Sequence, residues 1–211
     1  VTYLLIESSS FFSCKTSSQY GGAIYFANSG GQCVLYEVCG YDCWSTYSSY
    51  SHGQFAYTSV NNVISSKNYV NYSSFSHCMN EITLSYDSLY LYYGNIRCPS
   101  VNLSMNKCYH RSAMVCNPFI DSNSVTGSLM HSTFADNNAT SNICIYFSSS
   151  GAKNEIRSCN ILRNTQVSSS NGIIITFGDV MIQDSCILEN RATYILYAGS
   201  SSTITLSNCT V

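Results

Sequence analysis

Phe134-Ala135-Asp136-Asn137 returns 27 residues later as Ile161-Leu162-Arg163-Asn164, and 26 residues after that as Ile187-Leu188-Glu189-Asn190. In each copy an apolar side chain stands three residues ahead of an asparagine. Towards the N-terminus the same unit carries cysteine instead: Phe11 before Cys14, Phe75 before Cys78, Met105 before Cys108, and Gly40 before Cys43, the one departure from the apolar rule. The resulting column, Cys14, Cys43, Cys78, Cys108, Asn137, Asn164 and Asn190, has gaps of 29, 35, 30, 29, 27 and 26 residues. Self-similarity at a period of about 20 to 50 residues marks a solenoid, and the column therefore decides the fold.

Between column members the β-favouring residues fall into short runs broken by Ser, Asn and Gly. After Asn164, Gly172-Ile173-Ile174-Ile175-Thr176-Phe177 is followed by a Gly178-Asp179 turn and then by Val180-Met181-Ile182-Gln183-Asp184-Ser185-Cys186-Ile187. The turns after Asn137 and Asn190 repeat the pattern, and no stretch of about 12 residues holds a helical period. One such turn is too small to bury its own apolar face, so turns must stack. The expected fold is all-β: a single-stranded right-handed parallel β-helix of about seven turns, three short strands per turn, forming one domain over residues 1–211. With rungs about 4.8 Å apart the rod is about 35 Å long. The 35-residue turn from Cys43 to Cys78 is expected to place its surplus in loops at Tyr47 to Gly53 and Ser65 to Asn68. The chain starts at Val1 without Met and ends three residues short of its next column member, so the sequence reads as part of a longer chain or of an end-to-end assembly.

Composition narrows the function classes. Only 9% of the residues are charged, against a usual figure of about 25%, so the surface is carried by hydroxyls and amides. The net charge is -2 with no Lys/Arg cluster, which disfavours nucleic acid as a partner. No apolar run reaches the length of about 18 residues that a membrane-spanning helix needs.

Gly21-Gly22-Ala23-Ile24, followed by Tyr25-Phe26, and Phe134-Ala135-Asp136-Asn137 together resemble the Gly-Gly-Ala-Ile and Phe-x-x-Asn repeat pair of polymorphic outer-membrane proteins and related right-handed β-helix surface proteins. Asn171-Gly172-Ile173-Ile174 and Ile161-Leu162-Arg163-Asn164 are looser copies. The resemblance implies export, a role in adhesion or as a passenger domain, and repeats without a catalytic centre.

Stacked asparagines can form an amide ladder along the axis, or they can serve turns through their tolerance of left-handed backbone. The 12 cysteines allow disulfides, since Cys14 and Cys43 or Cys78 and Cys108 would lie one rung apart, or reduced thiols packed as small hydrophobes, which suits Cys159, Cys186 and Cys209. A zinc site is disfavoured because Cys39-x-x-x-Cys43 has no second pair, and no cofactor or metal is expected.

For catalysis, the nearest thing to a constellation is Glu155, Arg157, Asp184 and Glu189 on consecutive turns, flanked by Arg163 and Arg191, and Arg157 with Asp184 reads first as a surface ion pair. Candidate partner contacts are Trp44, Tyr47 and Tyr50 in the least regular turn. Asn71, Asn102, Asn138 and Asn208 begin glycosylation sequons. An ice-binding face would need Thr-x-Thr in every turn, and only Thr203-Ile204-Thr205 shows it. The function expected is a non-enzymatic extracellular or cell-surface module, structural or adhesive, meeting a protein, a glycan or further copies of itself. A carbohydrate-active β-helix enzyme, lyase or hydrolase, is the alternative.

Overall fold

The computed structural model describes residues 2–47, 49–78, 85–140, 143–167, 172–199 and 201–211. Among them every named element is a β-strand, and every strand pairs in parallel with its equivalent one turn away. The chain winds as a right-handed parallel β-helix, the hand in which a twisted strand returns beside its parallel neighbour.

The first face has eight strands, Thr2–Glu7, Gly31–Tyr36, Lys67–Asn71, Asn95–Pro99, Val125–Met130, Lys153–Arg157, Asp179–Gln183 and Ile204–Ser207. The second has seven: Ser10–Phe12, Cys39–Tyr41, Ser74–Ser76, Asn102–Ser104, Thr133–Ala135, Asn160–Leu162 and Cys186–Leu188. The third also has seven: Ile24–Ala27, Ala56–Ser59, Leu89–Tyr92, Arg111–Asn117, Ile143–Phe147, Gly172–Thr176 and Tyr194–Ala198. Between the second and third faces two-residue strands pair as well, Lys15–Thr16 with Trp44–Ser45, and Lys107–Cys108, Asn138–Ala139 and Thr165–Gln166 together. The surplus of the long turn is smaller than its sequence suggests. His52 bridges Tyr20, Ser51 bridges Ser85, and Lys67 and Asn68 already belong to a first-face strand.

Alternation explains the interior. On the second face the middle residue of each strand points inward, giving the column Phe11, Gly40, Phe75, Leu103, Phe134, Ile161 and Ile187. On the first face Ile6, Leu35, Val70, Cys98, Leu129, Ile156, Ile182 and Leu206 stack in the same way. Each fully buried Leu, Ile or Phe contributes about 1.5–3 kcal/mol.

Gly40 breaks its column because Phe55 fills the space. Phe55 is fully buried, stacks on Phe75 at 4.3 Å and meets Phe11 edge-on at 5.9 Å. A Cβ at residue 40 would lie 2.4 Å from the Phe55 ring. Gly40→Ala is therefore expected to cost about 1–3 kcal/mol in urea unfolding, and Phe55→Leu in the same chain is expected to recover part of it. Equal stability of Gly40→Ala and the parent would contradict this packing.

The first and second faces meet at a left-handed corner in every turn. Ser8, Glu37, Tyr72, Ser100, His131, Ser158, Asp184 and Asn208 hold φ between 45° and 56°. A second corner, at Ser13, Asp42, His77, Met105, Asp136, Arg163 and Glu189, holds φ between 50° and 57°. Each such residue costs about 1–2 kcal/mol and none of them is glycine, so the corners need support. The residue after the corner supplies it at most rungs, Val38 and Val101 being the exceptions. At the first corner Ser73, Ser132 and Ser185 accept from Val38 N, Val101 N and Cys159 N of the preceding turn at 3.0, 3.0 and 3.1 Å. Each donates to the carbonyl two residues back, at 2.8, 2.9 and 2.7 Å. Cys159 and Cys209 take the same place with their thiols. Runs that read as one strand in sequence, such as Glu155 to Ile161, are thus two strands bent at Ser158 onto different faces.

Candidate functional site

The residue after the second corner belongs to the periodic column, and the register revises one of its members. Leu103 pairs with Phe75 and with Phe134, which places Asn106 between Cys78 and Asn137. Cys108 stands opposite Ala139, two positions further on, where burial raises its thiol pKa to about 12. The column is Cys14, Cys43, Cys78, Asn106, Asn137, Asn164 and Asn190.

Its asparagines form a continuous ladder. The side-chain oxygen of Asn137 accepts from both the backbone N and Nδ2 of Asn106, each at 3.1 Å. Asn164 accepts from Asn137 in the same two ways, both at 3.0 Å, and Asn190 from Asn164 at 2.9 and 3.0 Å. Each Nδ2 also reaches one turn back, to the carbonyls of Phe75, Leu103, Phe134 and Ile161, at 2.7–3.1 Å. Asn106, Asn137 and Asn164 are buried, so a complete set of partners is what makes them tolerable there. All twelve cysteines are free. Cys159 and Cys209 share the first-corner column with Ser185 between them, whereas Cys186 stands one position further along, opposite Asn160.

Trp44 is half-buried, its Nε1 donating to Asp42 Oδ1 at 3.2 Å and Lys15 Nζ sitting 4.8 Å from its ring centre. The Gly-Gly pair lets the chain pass beneath it, since a Cβ on Gly22 would lie 2.0 Å from Gln54 O and 2.7 Å from the Trp44 backbone. Tyr47 and Tyr50 are exposed, and Tyr50 belongs to a larger cluster.

That cluster covers the third face and the approach to it. Tyr25, Tyr57 and Tyr90 point outward on successive rungs and stack at 5.6 and 5.1 Å. Beside them a second stack runs Tyr20, His52, Tyr86, His110 at 6.0, 4.6 and 4.3 Å. Tyr20 joins the two at 4.8 Å from Tyr57, and Tyr50 meets Tyr86 edge-on at 5.2 Å. The Arg111 guanidinium lies 4.9 Å from the Tyr86 ring and 5.0 Å from that of Tyr146.

Beneath the stacks is Asp87, fully buried. Gly53 N donates to its Oδ1 at 2.6 Å, while its Oδ2 faces His52 Nδ1 at 3.1 Å and Arg111 Nη1 at 3.4 Å. Asp87 occupies the column position of Gly21 and Gly53 and turns back to cap the turn below. Burial raises the pKa of Tyr57 to about 12 and pushes Tyr90 higher still, so both hydroxyls stay protonated donors. Burial, then the Arg111 and His52 charges, lower the His110 pKa.

The other sequence candidates do not converge. Arg157 lies opposite Gln183 and donates to its Oε1 at 3.1 Å, leaving Asp184 at the neighbouring corner with Asn208 Nδ2 at 2.7 Å, so the expected Arg157 to Asp184 pair does not form. Arg163 instead clasps Asp136 through two bonds of 2.8 Å. Of the sequon asparagines, Asn102 and Asn208 are exposed, while Asn71 and Asn138 are half-buried in strands. Among the described residues no group of three His, Cys, Asp or Glu is placed to hold a metal ion. No protein-family model, curated protein or solved structure matches this chain.

Proposed function

We propose that the chain is a non-enzymatic extracellular or cell-surface module in which a rigid rod presents its aromatic third face to a protein or glycan, or to further copies of itself. The observation that carries this reading is the double stack of Tyr and His rings fastened by Asp87 and Arg111. Rings stacked on one another spend their faces on their neighbours and leave hydroxyl and imidazole edges outward. Such edges suit a hydrogen-bonding partner, and aromatic residues are enriched where partners meet. The Gly-Gly-Ala-Ile and Phe-x-x-Asn likeness to polymorphic outer-membrane proteins supports the surface setting.

A carbohydrate-active enzyme has one observation in its favour. A histidine oriented by a buried carboxylate is the arrangement of a general base. Glycoside hydrolysis, however, uses two carboxyl groups about 5–9.5 Å apart, and among the described residues the contacts bring only Asp87 to this cluster.

Glycan-array binding together with sedimentation tests the proposal. Tyr25→Ala combined with Tyr50→Ala, both at exposed rings, is expected to weaken binding or self-association at least tenfold with little change in melting temperature. Release of new reducing or unsaturated ends from a polysaccharide panel would reverse the assignment in favour of the enzyme.

A further inference from the structure

The column changes from asparagine to cysteine over its first three rungs. Among the described residues no other column stacks cysteines on neighbouring rungs, for Cys159 and Cys209 are separated by Ser185. Backbone pairing locks the register here: Lys15 is opposite Trp44, and Trp44 N donates to Cys14 O at 3.0 Å. Parallel rungs about 4.8 Å apart fall within the Cα separation of disulfides, about 4.4–6.8 Å.

Parallel Cβ vectors ordinarily oppose such a bond, but Cys43 does not stand straight. Its Sγ lies between Tyr41 O of its own turn at 3.3 Å and Phe11 O one turn back at 3.4 Å, and so it is displaced towards the Cys14 rung. Cys14 is half-buried and open to a small reagent, whereas Cys43 and Cys78 are fully buried. Cys43 sits between two thiol neighbours, Cys14 on the rung before it and Cys78 on the rung after.

We propose that Cys14 and Cys43 are a thiol–disulfide exchange site for a small disulfide such as oxidised glutathione. The Cys14 thiolate, having given its proton to water, attacks one sulfur of the reagent. The S–S bond breaks, one glutathione leaves as thiolate, and the other stays bonded to Cys14. The Cys43 thiolate then attacks Cys14 Sγ, forming the Cys14–Cys43 bond and expelling the second glutathione thiolate. Two protein thiols are oxidised and one disulfide reagent is reduced to two thiols. The order follows from access, and because burial and then the neighbouring Cys43 raise the Cys14 pKa, the first attack is favoured by alkaline pH. Cys14 is the open sulfur, and the neighbouring Cys78 thiol, ahead of opposing burial, holds Cys43 at a pKa of about 6, ready to resolve the intermediate.

The experiment exposes the folded chain to oxidised glutathione at about pH 8, quenches with an alkylating agent and maps the peptides. The wild type is expected to lose two alkylatable thiols, to yield one Cys14–Cys43 linked peptide and to melt about 6–12 °C higher, because a loop of about 30 residues is closed. Cys43→Ser is expected to stop at glutathione held on Cys14. Persistence of that mixed disulfide in the wild type, a link from Cys43 to Cys78 instead, or failure of Cys14 to react would each overturn the proposal.

Discussion

Asn137→Ala is expected to destabilise the rod by about 3 kcal/mol or more, lowering its melting temperature by about 6–12 °C. The side chain makes four hydrogen bonds in a buried site, two accepted from Asn106 and one each donated to Leu103 O and Asn164 Oδ1. Alanine removes all four and leaves Asn106 N and Leu103 O without that partner, at about 1–3 kcal/mol for each buried group that stays unsatisfied. Asn137→Asp keeps the volume but loses both donors and sets carboxylate oxygen against two acceptors, so it is expected to be at least as damaging. Asn137→Cys installs the residue that the early rungs use and is expected to cost less than alanine. Asn190→Ala, at a partly exposed position, is expected to cost about 1 kcal/mol. Urea titration of the four variants measures this order, and a loss below about 1 kcal/mol for Asn137→Ala would mean that the ladder decorates the corner rather than holds it.

Asp87→Ala is expected to cost about 3–5 kcal/mol, the usual penalty for stripping one partner from a buried ion pair. Arg111, His52 and Gly53 N all lose their acceptor at once. Asp87→Asn retains an oxygen for Gly53 N and is expected to be milder. The discriminating variant is Asp87→Leu with Arg111→Leu, which removes both charges and is expected to recover much of the loss, because an apolar pair of similar volume avoids desolvation. If the double variant were as unstable as Asp87→Ala, the cluster would act through shape and not through charge. Loss of partner binding in a double variant of recovered stability would place the charges in recognition.

The fold was legible because each turn repeats its own apolar spacing. What sequence could not place was anything that depends on counting across turns of unequal length. Asn106 is 28 positions from Cys78 and Cys108 is 30, and both spacings lie within the range of the repeat. Only the pairing of Leu103 with Phe134 decides between them, although Leu103 three residues ahead of Asn106 satisfied the apolar rule as well as Met105 did. Asp87 was invisible for the same reason, since its partners stand 24 to 35 positions away and nothing local marks them. Gly40 was conspicuous but unexplained, for its cause is a ring on another face.

The corner residues carry one more implication. From the first left-handed corner to the second is five positions in every turn where both occur, from Ser8 to Ser13 through to Asp184 to Glu189. From the second corner to the next first one the distance runs from 19 positions, Glu189 to Asn208, to 30, Asp42 to Tyr72. The rod is therefore a spine of invariant clasps joined by elastic spans. Sequence added between the strands of a span bulges outward and leaves the clasp lattice in step, whereas one residue added inside a clasp would displace that rung from the columns its neighbours continue. New loops can be grafted onto such a scaffold in almost any span, at the points between its strands and clear of the clasps.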